Sequence, residues 1–157
     1  RTEENFQIWT GIHLVDAALS LMGHPRHVRA TNIATEYEQV SLSHAQVRTE
    51  LGQINYVISP VVGVVEETYE LHGLDYDIQA DAMNCSLTIF DSGEKVVDWQ
   101  VDEDEPSAYV NGTVGETEAF IEAIAGRREF GPTLSDVRRS MLTAEAIAAG
   151  GDTEIEA

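Results

Sequence analysis

Between Arg26 and Val101 apolar residues recur at every second position, in short runs broken by turn-forming residues. This period of two constrains the chain more than any other feature, because a strand sends alternate side chains to opposite faces. In "HAQVRTEL", Ala45, Val47, Thr49 and Leu51 alternate with His44, Gln46, Arg48 and Glu50. After Gly52 the alternation resumes at Ile54, Tyr56 and Ile58, which predicts a hairpin with one apolar and one polar face. "SLTIFDSGEKVVDW" predicts a second hairpin, with Asp91-Ser92-Gly93 as the turn between Leu87, Ile89 and Val97, Trp99. With "ETYELHG", "YDIQA" and "RHVRATNIAT", about seven strands are expected, and the short links favour antiparallel neighbours.

Helical spacing flanks this region on both sides. Ile12, Val15, Leu19 and Met22 recur with a period near 3.6 until Gly23-His24-Pro25 stops the pattern. His13, Asp16, Ala17 and Ser20 fall on another side of that helix. Near the end, Thr113 with Glu116 and Thr133 with Asp136 stand at capping-box spacing. One helix groups Phe120, Ile121 and Ile124; the other groups Leu134, Val137, Met141, Ala144 and Ala148 before Gly150-Gly151. Asp152 to Ala157 reads as a frayed tail. A helix, a run of strands and then helices predict an α+β fold, a mainly antiparallel open sheet with helices on one face. The length, 157 residues, suits one domain spanning residues 1–157. The first residue is Arg1 and not a methionine, and the segment from Arg1 to Asn5 is too polar for the centre of a signal peptide, so the chain reads as cut or processed.

Charge narrows the partners. The net charge is −19, from 28 acidic residues against nine basic ones, and Lys95 is the single lysine. Nucleic acid and anionic membrane surfaces are repelled by such a field, so neither is expected as a partner. Carboxylates crowded on a surface also repel one another in dilute buffer and are relieved by salt, which points to a salt-rich cytoplasm. Cys85 stands alone, so an internal disulfide is impossible and a reducing, cytoplasmic location fits. No apolar run approaches the roughly 18 residues that span a bilayer. The sequons at Asn84 and Asn111 are three-residue coincidences without an export signal.

Each polar candidate has a functional and a bland reading. His13 can serve as general acid or base with Asp16 orienting it, or be an exposed first-turn residue with a favourable acidic neighbour. His24 and His27 flank Pro25-Arg26, but no second ligand pair accompanies them, so a turn is expected and no metal site. Asp75, Asp77 and Asp81 lack the glycine and closing glutamate of a calcium loop and fit strand alternation. The acidic run Asp102 to Pro106 reads as a solvated loop. Ser59, Ser92 and Cys85 have no activating neighbour in sequence. The chain has neither G-x-G-x-x-G nor a P-loop, so no cofactor is expected on it.

Three stretches taken in order carry a resemblance. "GIHLVDAALSLMGHPRHVRA", Gly11 to Ala30, resembles a segment of the glucose–fructose oxidoreductase, inositol dehydrogenase and rhizopine catabolism family of sugar dehydrogenases: G-x-H-x-x-D, an apolar helix, then G-x-P and a strand. "YELHGLDYDIQAD" is similar to that family's central strands, and Ala119 to Gly150 to its closing helices. The resemblance implies a C-terminal α+β domain that shapes a sugar or polyol pocket and self-associates through its open sheet face. It further implies an N-terminal Rossmann domain, absent here, that binds NAD or NADP and carries a catalytic lysine. His13 matches the family's catalytic histidine, and Asp16 matches a family position with a supporting, capping or substrate-contact role. Trp9 stands where many members have aspartate; it can stack on a sugar face, or it can mark a pocket that has lost oxidoreductase chemistry.

Overall fold

The structure is a computed structural model that describes residues 8, 10–34, 41–60, 63–102, 104–106, 110, 112–129 and 131–155. Its contacts divide the chain into two compact units, Arg1–Gly63 with Pro132–Ala157, and Val64–Gly131.

The first unit holds helix α1 (Gly11–Met22), strands β1 (Pro25–Ala34), β2 (Ser41–Thr49) and β3 (Gln53–Ile58), helix α3 (Leu134–Ala149) and strand β8 (Gly151–Glu154). The strands form an antiparallel sheet in the order β3-β2-β1-β8. Register puts Val28 opposite Val47, and Val47 opposite Ile54, so the alternation read from the sequence builds one continuous apolar face. Against it pack Val15, Ala18 and Leu19 of α1 and Ala146 and Ile147 of α3, giving a single core with Val28, Ala30, Ala45, Val47, Tyr56 and Ile58. Each fully buried Val, Leu or Ile contributes about 1.5–3 kcal/mol, so this face is the main source of the unit's stability. Both helices lie on the same side of the sheet, as a core shared by α1, α3 and three strands requires.

The buried polar side chains Ser43, Thr49, Ser140 and Thr143 are each hydrogen-bonded. The Asn32 amide donates to the carbonyls of Ile147 (3.0 Å) and Ala148 (2.9 Å) in the last turn of α3, where Ile147 also accepts the Gly150 N–H. Asn32 Oδ1 in turn accepts the hydroxyl of fully buried Ser43 at 2.7 Å.

The second unit holds β4 (Thr68–His72), β5 (Tyr76–Asp81), β6 (Ser86–Asp91), β7 (Glu94–Gln100) and helix α2 (Thr113–Ile124). Its four strands form an antiparallel meander in chain order. Between β6 and β7, Ser92 (φ 51°) and Gly93 (φ 83°) both take positive φ, the backbone of a tight hairpin turn whose twist matches the strands.

The α+β class, with mainly antiparallel open sheets, is as expected from the sequence, and the seven strands between residues 25 and 100 fall where the period-two runs stand. They divide between two four-stranded sheets. Three local readings differ. Leu51 was expected to continue the inward row but lies in the β2–β3 turn, 73% exposed. Thr113 is the first helical residue of α2, with Gly112 (φ 79°) at the N-cap, because glycine reaches this left-handed backbone without strain. Gly151 to Glu154 is no frayed tail: it pairs with β1, Val28 opposite Thr153 and Arg29 opposite Asp152. Positive φ at Gly150 (73°) and Gly151 (81°) turns the chain from α3 back onto the sheet edge.

Candidate functional site

Helix α1 presents two different faces. Gly11, Val15, Ala18 and Leu19 are buried against the core, whereas His13, the third residue of the helix, is exposed to solvent. Asp16 follows one turn later and is half-buried. Its carboxylate accepts the Ser140 hydroxyl at 2.5 Å, and Ser140 is 1% exposed. A charged acceptor makes this a strong, short hydrogen bond, and it ties α1 to α3. Among the described residues no hydrogen bond or ion pair joins His13 to Asp16. The two side chains share a helix, but His13 is exposed while Asp16 ties that helix to α3. Trp9 lies outside the described residues.

The remaining candidates are accounted for locally. His27 Nε2 lies 3.0 Å from Asp152 Oδ1, on the same carboxylate that accepts Arg29 Nε at 3.1 Å. Asp81 caps the turn after β5, accepting the N–H groups of Met83 (3.0 Å) and Asn84 (2.9 Å). The bonds from Asn84, backbone first, hold this carboxyl below its ordinary range. Asp77 faces His72 across the β4–β5 pair. The Cys85 thiol donates to the Ala82 carbonyl at 3.3 Å from a residue with φ 49°. It borders a recess of about 470 Å3 with Trp99, Gln100, Val101, Asp102 and Glu105. The ionisable lining beside the thiol is acidic, Asp102 and Glu105. Burial, then the hydrogen bond to Glu67, raises the Tyr69 phenol above its usual range and keeps it protonated. Among the described residues no group of three or more His, Cys, Asp or Glu is placed to hold a metal ion. No helix among them is long and apolar enough to cross a membrane.

Sequence reasoning missed Ser140. It lies 124 residues from Asp16, in a helix whose sequence carries no sign of that pairing.

No family model matches the sequence, and no curated protein matches it. Solved structures do. The chain is similar to UDP-N-acetylglucosamine 3-dehydrogenase from Acidithiobacillus ferrooxidans, at 25% identity and a TM-score of 0.73, over 89% of this chain and 45% of that one. It is similar to a dehydrogenase from Clostridium difficile at 16% identity and a TM-score of 0.80, over 92% of this chain and 48% of that one. A dehydrogenase from Chromobacterium violaceum aligns at 17% identity and a TM-score of 0.76, over 92% and 45% respectively. The chain has the fold of the C-terminal domain of the glucose–fructose oxidoreductase, inositol dehydrogenase and rhizopine catabolism dehydrogenases. The resemblance read from "GIHLVDAALSLMG" therefore holds at the level of the fold. The chain spans about half the length of the structures that it matches.

Proposed function

We propose that residues 1–157 are the C-terminal, substrate-side domain of a NAD(P)-dependent sugar or polyol oxidoreductase, inactive by itself. The observation that carries this reading is the exposed His13 on a helix clamped by Asp16 and Ser140, in a domain of dehydrogenase fold. An exposed imidazole nitrogen can accept the proton of an alcohol being oxidised. Asp16 serves as a positioning residue, since its carboxylate is engaged with Ser140. Trp9 offers an aromatic face to a sugar ring.

The dinucleotide belongs to another part of the parent protein. This chain has no glycine-rich fingerprint to cradle a pyrophosphate, so no step through the cofactor is derived from its residues. Relatives of similar fold include a structure described as a NADPH-dependent oxidoreductase from Desulfitobacterium hafniense and one from Agrobacterium radiobacter in complex with NAD+, which supports either nucleotide for the parent. The lone Cys85 and the single lysine support a reducing, salt-rich cytoplasm, and assembly into a homo-oligomer through a sheet face completes the reading.

The test is the full-length parent with NAD, NADP and a panel of sugars and polyols. His13→Ala should lower the turnover number by about 100-fold or more, the usual contribution of a positioned proton acceptor. Unchanged turnover removes His13 from the mechanism. A second reading, a non-catalytic ligand-binding or dimerisation domain with an eroded site, draws on Trp9 standing where many family members have aspartate. Absence of any nicotinamide reduction across the panel would favour it.

A further inference from the structure

The recess of about 470 Å3 beside Cys85 lies within the second unit, where β6 and β7 end and the acidic loop begins. The Val101 N–H donates to the Cys85 carbonyl at 3.0 Å, one step beyond the last paired residues of the two strands, Ser86 and Gln100. Trp99 and Val101 stand two positions apart, so alternation sends both to one side. The chain then folds back: the Glu105 N–H donates to the Asp102 carbonyl at 3.0 Å, and the Val110 N–H to that of Pro106 at 3.3 Å. This return sets Asp102, Glu105 and Val110 around the same recess as Trp99 and Val101. Its volume falls in the usual range of small-ligand sites, about 300–1,000 Å3.

The walls of the recess are of two kinds. Trp99 stays 52% exposed beside it, although an indole gains more from burial than most side chains, and among the described residues its N–H has no hydrogen-bond partner. Asp102 and Glu105 are exposed, and among the described residues neither has an ion-pair partner. The lining includes no arginine, lysine or histidine among those residues. An aromatic face beside two unpaired carboxylates favours positive charge twice over, through the ring quadrupole and through the anions, and the valines suit apolar groups attached to that charge. Among the described residues no three ligating side chains converge on a point, which disfavours a metal ion as the occupant.

We infer that this recess binds a methylated ammonium compound, with the cation against the Trp99 ring and facing Asp102 and Glu105. The net charge of −19 draws cations of every kind toward the surface, and the recess selects among them. A small hydrated ion gains nothing from the indole or the valines, whereas an ammonium group carrying methyls meets an apolar wall and a negative field together. The site is separate from the proposed oxidoreductase chemistry, because His13 lies in the first unit and every lining residue in the second. Either reading can fail without the other.

Trp9 and Trp99 are the two tryptophans of the chain, so a nitrogen–proton correlation spectrum resolves the Trp99 indole N–H, assigned by its loss in Trp99→Leu. Choline and tetramethylammonium, titrated at constant ionic strength, should move that signal saturably. The neutral alcohol in which carbon replaces the nitrogen of choline should bind about fivefold more weakly or worse, the scale of one cation–π contact. Asp102→Asn with Glu105→Gln should weaken choline by roughly threefold to tenfold, as expected for two exposed charge contacts, and leave the alcohol unaffected. Calorimetry should find no choline binding to Trp99→Leu. Circular dichroism checks folding, and the two exposed loop carboxylates supply a folded variant even if Trp99→Leu is lost. Equal affinity for the neutral alcohol, or choline affinity unchanged in the carboxylate variant, would overturn the cationic ligand class. A Trp99 signal that neither ammonium compound moves would overturn the site itself.

Discussion

Ser140 donates its hydroxyl to the Asp16 carboxylate at 2.5 Å, joining α3 to α1, the helix that carries the exposed His13. The bond holds the helix that bears the candidate catalytic residue against the core, and it forms where Ser140 is almost completely excluded from water.

Ser140→Ala would leave a half-buried carboxylate without its donor. Removing one partner of a charged, buried hydrogen bond costs about 1–3 kcal/mol. Urea unfolding in molar KCl should show that loss as a lower midpoint with an unchanged slope. A variant as stable as the parent sequence would show that water replaces the hydroxyl at no cost.

The start of α3 should make stability depend on acid. Asp136 accepts the backbone N–H of Thr133 (2.7 Å) and its hydroxyl (2.7 Å), and these bonds, the backbone one first, hold the carboxyl below its ordinary range. A carboxyl lowered in the folded state binds its proton more readily in the unfolded chain. Its contribution is therefore present above the unfolded value, about 4, and is lost as pH falls through the folded value. Asp136→Asn should flatten the acid limb of a plot of melting temperature against pH; an unaltered limb would assign that limb to other carboxylates.

Gly73 is held to glycine by Tyr76. A Cβ at position 73 would lie 2.0 Å from Tyr76 Cε1, so Gly73→Ala must push the ring off the β4–β5 turn. A destabilisation of about 1 kcal/mol is expected, and it should largely vanish in a Tyr76→Ala background, the sign of direct coupling in a double-mutant cycle. Equal costs in both backgrounds would place the strain in the backbone.

Salt should stabilise the folded chain. With a net charge of −19, raising KCl from dilute to molar screens repulsion that opposes the compact state. The melting temperature should climb over that range, whereas a fall would end the reading of a salt-adapted surface.

The fold was legible wherever its signal is local. Val28, Ala45, Val47 and Tyr56 point inward because side chains alternate along any strand, and Val15 and Leu19 share a helix face because the helix repeats every 3.6 residues. Turn chemistry was equally direct at Ser92-Gly93, as was the cap at Thr133 and Asp136. For the site, sequence gave His13 and Asp16 on one helix, and the family likeness gave them a purpose. It could not give the partner of Asp16, nor the Asn32 amide closing the end of α3, because those contacts join residues more than a hundred positions apart. The same limit hid β8, whose polar letters "GDTE" become a strand only because β1 offers an unpaired edge and Arg29 a charge for Asp152. Which strands share a sheet was likewise a tertiary decision: period fixes what a strand can bury, but hydrogen bonds to a neighbour fix beside which strand it lies.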